Sequence, residues 1–400
     1  MTAPLREFSR DGVEHAVALA HRDHGVQETH RRLTDDVARA VTDVGFPRHF
    51  VPRRFGGRAG TFGELLTAAT TLARTCAATA WCATLYAAHG RLASYLPEKA
   101  QRELWHSSPD ARIAAAIMPP SGEANLEPGG WRLTGRWGFA SGVDHADWVL
   151  LASWTPGRNV PERHRLFAVP RDELTVTDTW HTLGMRGTGS NTVEADGVLV
   201  PRHRTCTLSD LLLPLPGSAR CHTVPYAMVG ALMFAFPVLG AARGALDAWT
   251  HAATERQGTA VPPASNTLTR AAARIRAAGL LLEAAAERAD HAPVTPLLVA
   301  EGQRDAAAAV ELCSEAVDQL LRASGSRGQA EDDPVQRHWR DITTAATHRA
   351  LSIDAAAGAY TPALFDRADP STGVGPAEPG GPAGPPGRTA TAPDTERRTA

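Results

Sequence analysis

With 400 residues, 43% of them hydrophobic and 21% charged, the chain is long enough for two or three domains around a substantial core. A formal net charge of −2 gives no bulk electrostatic case for binding nucleic acid or an anionic membrane surface. Five cysteines (Cys76, Cys82, Cys206, Cys221 and Cys313) have neither CxxC nor zinc-ligand spacing, and Met1 to Arg10 lacks an apolar signal core, so reduced thiols and a cytoplasmic location are expected.

Residues 1–110 read as an N-terminal helical domain. Glu14 to Val44 and Phe62 to Tyr95 carry Ala, Leu, Val and Arg at helical spacing, and Gly45-Phe46-Pro47 and Phe55-Gly56-Gly57 interrupt them as loops. From 111 to 215 the pattern changes to short apolar runs, such as Ile113–Ile117, Trp148–Ala152, Leu166–Val169 and Val193–Val200. Pro119-Pro120 and Thr155-Pro156-Gly157 lie between them, which argues for a β-sandwich or barrel. Residues 216–365 return to Ala/Leu/Arg-rich helical segments that fit a four-helix bundle. Residues 366–400, dense in Pro, Gly and Thr, read as a disordered tail. The fold class expected is therefore α+β. Thr223 to Ala242 carries no charge and is long enough to span a bilayer. It contains Pro225, Gly230 and Pro237, however, and a helix apolar all round is also what the centre of a bundle requires.

Several motifs are absent. There is no Walker A sequence, no Gly-x-Ser-x-Gly elbow and no His-Glu-x-x-His. Gly184 to Gly189 reads Gly-x-x-Gly-x-Gly, which is not the dinucleotide-binding order. His21 and His24 share a helix face but find no third ligand, so no metal site is expected. With no nicotinamide site of its own, a redox enzyme of this sequence would need its reducing equivalents brought in.

Four segments, in order, resemble the acyl-CoA dehydrogenase superfamily. They are Gly45-Phe46 with Val51-Pro52 and Phe55-Gly56-Gly57; Gly135 to Trp148, containing Trp137, Phe139, Ser141-Gly142 and His145-Ala146; Leu183 to Val193, closing at Val200-Pro201; and Arg337 to Asp341. The resemblance implies a flavin lying against the second segment. Trp137 and Phe139 would supply apolar surface there, and Ser141 would donate to flavin N5 or O4. Ser324-Gly325-Ser326 stands about where the dehydrogenases carry a Gly-rich turn against the cofactor phosphates. Arg256 resembles their arginine that reaches the flavin diphosphate from a neighbouring subunit, although the aromatic residue following it in that motif is missing here.

Many dehydrogenases place a catalytic Glu shortly after the Arg-Asp pair. Here Arg340-Asp341 is followed by Ile342 to Thr347 and then His348. That is similar to the two-component flavin monooxygenases of the same fold, such as the p-hydroxyphenylacetate and steroid-phenol hydroxylases. The similarity implies an oxygenase component that uses reduced FAD or FMN and O2, through a flavin C4a-hydroperoxide, to hydroxylate a small aromatic or phenolic substrate, polyketide- or indole-like, in secondary metabolism. His348 would serve the hydroperoxide or substrate proton, and His89 would bind and orient substrate. It also implies a separate flavin reductase, delivering by free diffusion, and a homotetramer built through the C-terminal bundle. An amine N-hydroxylase of the amino-sugar type and an acyl-CoA dehydrogenase with a displaced base are the alternatives. Arg340 and Asp341 are expected to form a structural ion pair or a cofactor-side brace, and His15, His21, His24, His30, His49 and His338 to lie at the surface.

Overall fold

The computed structural model describes residues 8–257 and 264–368; the expectation of a disordered tail falls, beyond Ala368, outside them. Five helices come first: α1 (Arg10–His30), α2 (Asp35–Val44), α3 (Phe62–Ala73), α4 (Ala77–Ala93) and α5 (Glu98–Leu104). Their starts are set locally. The Ser9 and Thr34 hydroxyls accept from Gly12 N and Val37 N, and Thr61 with Glu64 forms a reciprocal capping box.

The central region contains β1 (Ile113–Ala116), β2 (Glu123–Glu127), β3 (Gly130–Ala140), β4 (Trp148–Trp154), the short α6 (Val160–Arg163), β5 (His164–Pro170), β6 (Thr175–Thr177), β7 (Asn191–Pro201) and β8 (Thr205–Thr207). All eight strands are hydrogen-bonded into one sheet. One edge of β4 carries β1 from Ile113↔Trp148 to Ala116↔Leu151 and meets β2 only at Glu123↔Trp154. At that single pair the sheet folds over into two leaves, β1-β4-β5-β8 and β2-β3-β7-β6. Val149, Leu151, Phe167 and Val169 of the first leaf pack with Leu133, Trp137, Val193 and Val200 of the second. The opposite face of the first leaf presents Leu150, Leu166 and Ala168 to Leu92, Leu96 and Trp105 of the helical layer. β4 and β5 are thus buried on both faces, which is why they read as continuous apolar runs and not as alternating ones.

After α7 (Leu208–Leu212) and α8 (Arg220–Thr223) come α9 (Tyr226–Gln257), α10 (Ser265–His291), α11 (Pro296–Ala323), α12 (Pro334–Ala346) and α13 (Ile353–Ala368). α9 is the central helix, packed on α3, α4, α10, α11 and α12. Among the described residues it is the one helix long and apolar enough to cross a membrane, and 83% of its most apolar stretch is buried inside the protein. Gly240 and Gly244 allow it to cross α3 closely: a Cβ at either would come within 2.5 Å or less of the carbonyl oxygens of Thr70 and Arg74. Side chains from α1 to α4 and from α9 to α12 share one apolar core.

Candidate active site

α4 is the element around which the site is built. One of its faces is fastened to the β domain at four successive levels. Trp81 Nε1 donates to Ser141 Oγ (3.2 Å), Cys82 Sγ to the Thr188 carbonyl (3.6 Å), Tyr86 OH to the Gly142 carbonyl (2.7 Å) and His89 Nδ1 to the Ile113 carbonyl (2.7 Å). The helix is almost wholly buried, and its residual exposure follows a pattern: Trp81 6%, Leu85 5%, His89 7% and Leu92 4%, with Ala88 the most open residue of the helix. Positions 81, 85, 88, 89 and 92 form one stripe at helical spacing. That stripe is largely apolar, and His89 is its polar member.

At the Trp81 end of the stripe, Phe234 of α9 lies 5.2 Å from the Trp81 ring and stacks on His348 at 3.8 Å, with the imidazole meeting Trp81 edge-on at 5.9 Å. His348 follows the C-terminus of α12 and caps the turn Arg349–Leu351. Both imidazoles are held neutral by burial, their pKa pushed down to about 4. Their tautomers are opposite, because each Nδ1 has a backbone partner that leaves no choice. The Ile113 carbonyl can only accept, so His89 carries its proton on Nδ1 and turns a lone pair outward at Nε2. The Ala350 N–H can only donate, to His348 Nδ1 at 3.2 Å, so His348 carries its proton on Nε2. Eight residues, about 12 Å of helix rise, separate Trp81, beside His348, from His89. The structure therefore puts the two histidines at different levels of α4 and not in mutual contact.

Ser141 sits where α4, β3 and the 183–190 loop meet. Its hydroxyl is 2.8 Å from that of Ser190, which is 2.7 Å from that of Thr188, and Thr188 donates to the Met185 carbonyl at 2.8 Å. The loop is in turn fixed to α12: Met185 N–H donates to Asp341 (2.6 Å) and Gly184 N–H to Thr344 (2.9 Å). Arg340 reaches Glu28 (3.2 Å) and the Leu183 carbonyl (3.4 Å). Arg340 and Asp341 are thus two separate braces and not an ion pair with each other. Burial raises the Asp341 carboxyl to about 6.

The family described as acyl-CoA dehydrogenase, C-terminal domain, matches residues 232–353. The FADH(2)-dependent resorcinol hydroxylase, oxygenase component, of Rhizobium sp. (strain MTP-10005) is 32% identical over 367 residues, 82% of this chain and 87% of that protein. The chain belongs to the oxygenase components of the two-component flavin-dependent monooxygenases. Among solved structures, the 3-HSA hydroxylase of Rhodococcus sp. RHA1 superposes on this oxygenase with a TM-score of 0.83 at 26% identity, over 91% of this chain and 98% of that one. XiaF from Streptomyces sp., in complex with FADH2 and glycerol, does so with a TM-score of 0.82 at 29% identity, over 90% and 96%.

The cofactor of such an oxygenase is reduced flavin, and the residues present fit one. Beside the Ser141 hydroxyl cluster, Phe139 is 74% exposed and meets the half-buried Trp180 edge-on at 6.2 Å, so one aromatic side chain stands open next to fixed hydrogen-bonding groups. Trp137 takes no part. It is 2% exposed inside the β core and its indole N–H donates to the Ala152 carbonyl, which corrects the expectation of a second aromatic flavin surface there. Ser324 is likewise a helix end and not an anion donor. Its hydroxyl donates to the Leu320 carbonyl and its N–H points back to Leu320 and Leu321, leaving only Gly325 and Ser326 exposed. The Arg256 side chain lies outside the described residues. His49 and His338 are buried, not superficial. Sequence reasoning missed Trp81, Phe234 and Trp180 as site residues; Trp81 alone carried a signal, as a tryptophan two turns ahead of His89 on the same face.

An open cleft of about 480 Å³ lies between Asp35, Asp110, Asp144 and Asp147. Asp110 and Asp147 there are paired with Arg48 and Arg112, and the cleft lacks the apolar walls a ring system needs.

Proposed function

We propose that this oxygenase hydroxylates a small aromatic or phenolic substrate that lies between α4 and α9, with His89 and His348 in complementary roles. Reduced flavin, when bound, supplies the electrons that activate O2. The chain's own residues do the rest. His89 Nε2, an unprotonated acceptor among Trp81, Leu85, Ala88 and Leu92, takes the hydrogen bond of a phenol hydroxyl, which both orients the ring and makes it more nucleophilic. His348 Nε2–H, against Phe234 and Trp81, donates to the oxygen that is transferred or leaves. The aromatic and aliphatic walls exclude water, which favours oxygen transfer over release as peroxide.

The observation that carries this reading is the pair of neutral imidazoles fixed in opposite tautomers beside α4, among apolar side chains. A carbon nucleophile attacking an electrophilic oxygen needs one acceptor at the substrate and one donor at the oxygen. A separate reductase supplies the reduced flavin, which belongs to the two-component class; its delivery by free diffusion, a homotetramer built through the α9–α12 bundle, and a cytoplasmic location complete the proposal.

The test is a single turnover of the protein with reduced FAD, O2 and a panel of phenols, reading hydroxylated product against hydrogen peroxide. At least one phenol is expected to give product in preference to peroxide, and His348→Ala to divert most of that turnover to peroxide. Stoichiometric peroxide with every phenol in the unaltered protein would overturn the proposal.

A further inference from the structure

The hydroxyl chain at Ser141 has a direction. Its far end is the Met185 carbonyl, which can only accept, so Thr188 must donate to it. The Thr188 oxygen then accepts from Ser190, and the Ser190 oxygen from Ser141. At the near end, the Trp81 indole N–H can only donate, so Ser141 accepts from it. The whole run therefore reads Trp81 N–H to Ser141, Ser141 to Ser190, Ser190 to Thr188, and Thr188 to the Met185 carbonyl. Reversing any link leaves two oxygens facing each other with no proton between them. A run with every oxygen both donating and accepting is polarised in one sense. The chain is also buried: Ser141, Thr188 and Ser190 are each less than 8% exposed. Water is poorly placed to substitute for a broken link.

The consequence falls on what Ser141 can offer a ligand. Its proton is engaged by Ser190 and one lone pair by Trp81, so only its second lone pair is free. It is an acceptor. The isoalloxazine ring changes character at one edge when reduced: N5 gains a hydrogen and becomes a donor, whereas in the oxidised ring N5 and the neighbouring O4 are both acceptors. A donor from the reduced ring adds a bond at Ser141 without breaking one. The oxidised ring gains a bond there only if Ser141 turns its proton away from Ser190. We propose that Ser190 and Thr188 are positioning residues that hold Ser141 as an acceptor and thereby select reduced over oxidised flavin. This inference rests on the flavin-dependent reading above and deepens it. An oxygenase that takes its flavin from a separate reductase must release the oxidised form to be resupplied, and this relay provides the bias.

The difference is about one hydrogen bond, so reduced FAD is expected to bind roughly tenfold tighter than oxidised FAD. The decisive measurement is the dissociation constant of each form, titrated anaerobically against the full chain. Ser190→Ala frees the Ser141 proton and should tighten oxidised FAD roughly tenfold while leaving reduced FAD unchanged. Thr188→Val removes the acceptor that orients Ser190 and should move the ratio the same way. A gain of affinity is not what a misfolded or merely loosened variant produces. Equal affinities in the unaltered protein, or a loss for both forms in Ser190→Ala and Thr188→Val alike, would overturn the inference. Should neither flavin form bind the unaltered protein, the oxygenase reading falls with it. Coupled hydroxylation with an unaltered affinity ratio in both variants sinks the relay alone.

Discussion

Phe139 is the residue where backbone strain and exposure coincide. Its φ is 64° and its ring is 74% exposed. A bulky side chain in the left-handed region costs about 1–2 kcal/mol, and burial of the ring within this chain does not offset that cost. Such outliers persist where function holds them. Replacing Phe139 with Gly should therefore raise the melting temperature by a few degrees, since glycine adopts that φ freely, while weakening reduced-FAD binding through loss of the aromatic edge. A variant that loses stability, or keeps full flavin affinity, would contradict the assignment. The same residue marks a limit of legibility. Trp137 and Phe139 are two apart in a strand, and regular alternation would place both on one face. The pairing of β3 with β7 shifts register between Trp137 and Ala140, and that bulge turns Trp137 into the core and Phe139 outward. The motif containing Ser141 could be read from the chain, but nothing in its composition announces a bulge. His49 and His338 were misplaced for a related reason, because their burial depends on neighbours distant in sequence.

Loop 183–190 and α12 show how one element positions another. Gly184 lies against the α12 backbone: a Cβ there would stand 2.1 Å from the Arg340 carbonyl oxygen. With Met185 N–H on Asp341 and Gly184 N–H on Thr344, this contact sets Ser190 and Thr188 relative to the helix that leads into His348. Gly184→Ala must push the two apart. The expected loss is about 1–3 kcal/mol of stability, seen as a lower urea midpoint, together with weaker reduced-FAD binding and more peroxide per turnover. A variant with ordinary coupling would mean that the loop does not transmit position to the site. At this scale much was readable beforehand. The runs in β4 and β5, and the uncharged stretch in α9, stand out because those elements are buried on every side. The shared core of α1–α4 with α9–α12 did not stand out, since helical periodicity shows that a face is buried but not which helix covers it.

Across the whole molecule, buried neutral imidazoles dominate the response to acid. Burial lowers His49, His89, His222 and His348 to about 4 and His338 to about 3, against about 6.5 in the unfolded chain. Between those values the unfolded chain binds protons that the folded one refuses, so stability falls as pH falls. The carboxyls of Asp144, Asp290 and Asp341 act in the opposite sense, since burial raises each of them. Asp341, at about 6, is the one that already opposes the histidines near pH 6. The lowered imidazoles, His24 and His164 among them, outnumber the raised carboxyls, so the net effect is a loss of stability as the pH falls. The urea midpoint should therefore drop between pH 7.5 and pH 5.5, while the yield of hydroxylated product per turnover of the still-folded protein stays level, because His89 and His348 remain neutral throughout that range. A midpoint that holds steady would show that these imidazoles are not buried as neutral groups. A product yield that falls with an apparent pKa near 6.5 would place at least one of these two histidines in water, and would remove the fixed tautomers on which the proposed chemistry depends.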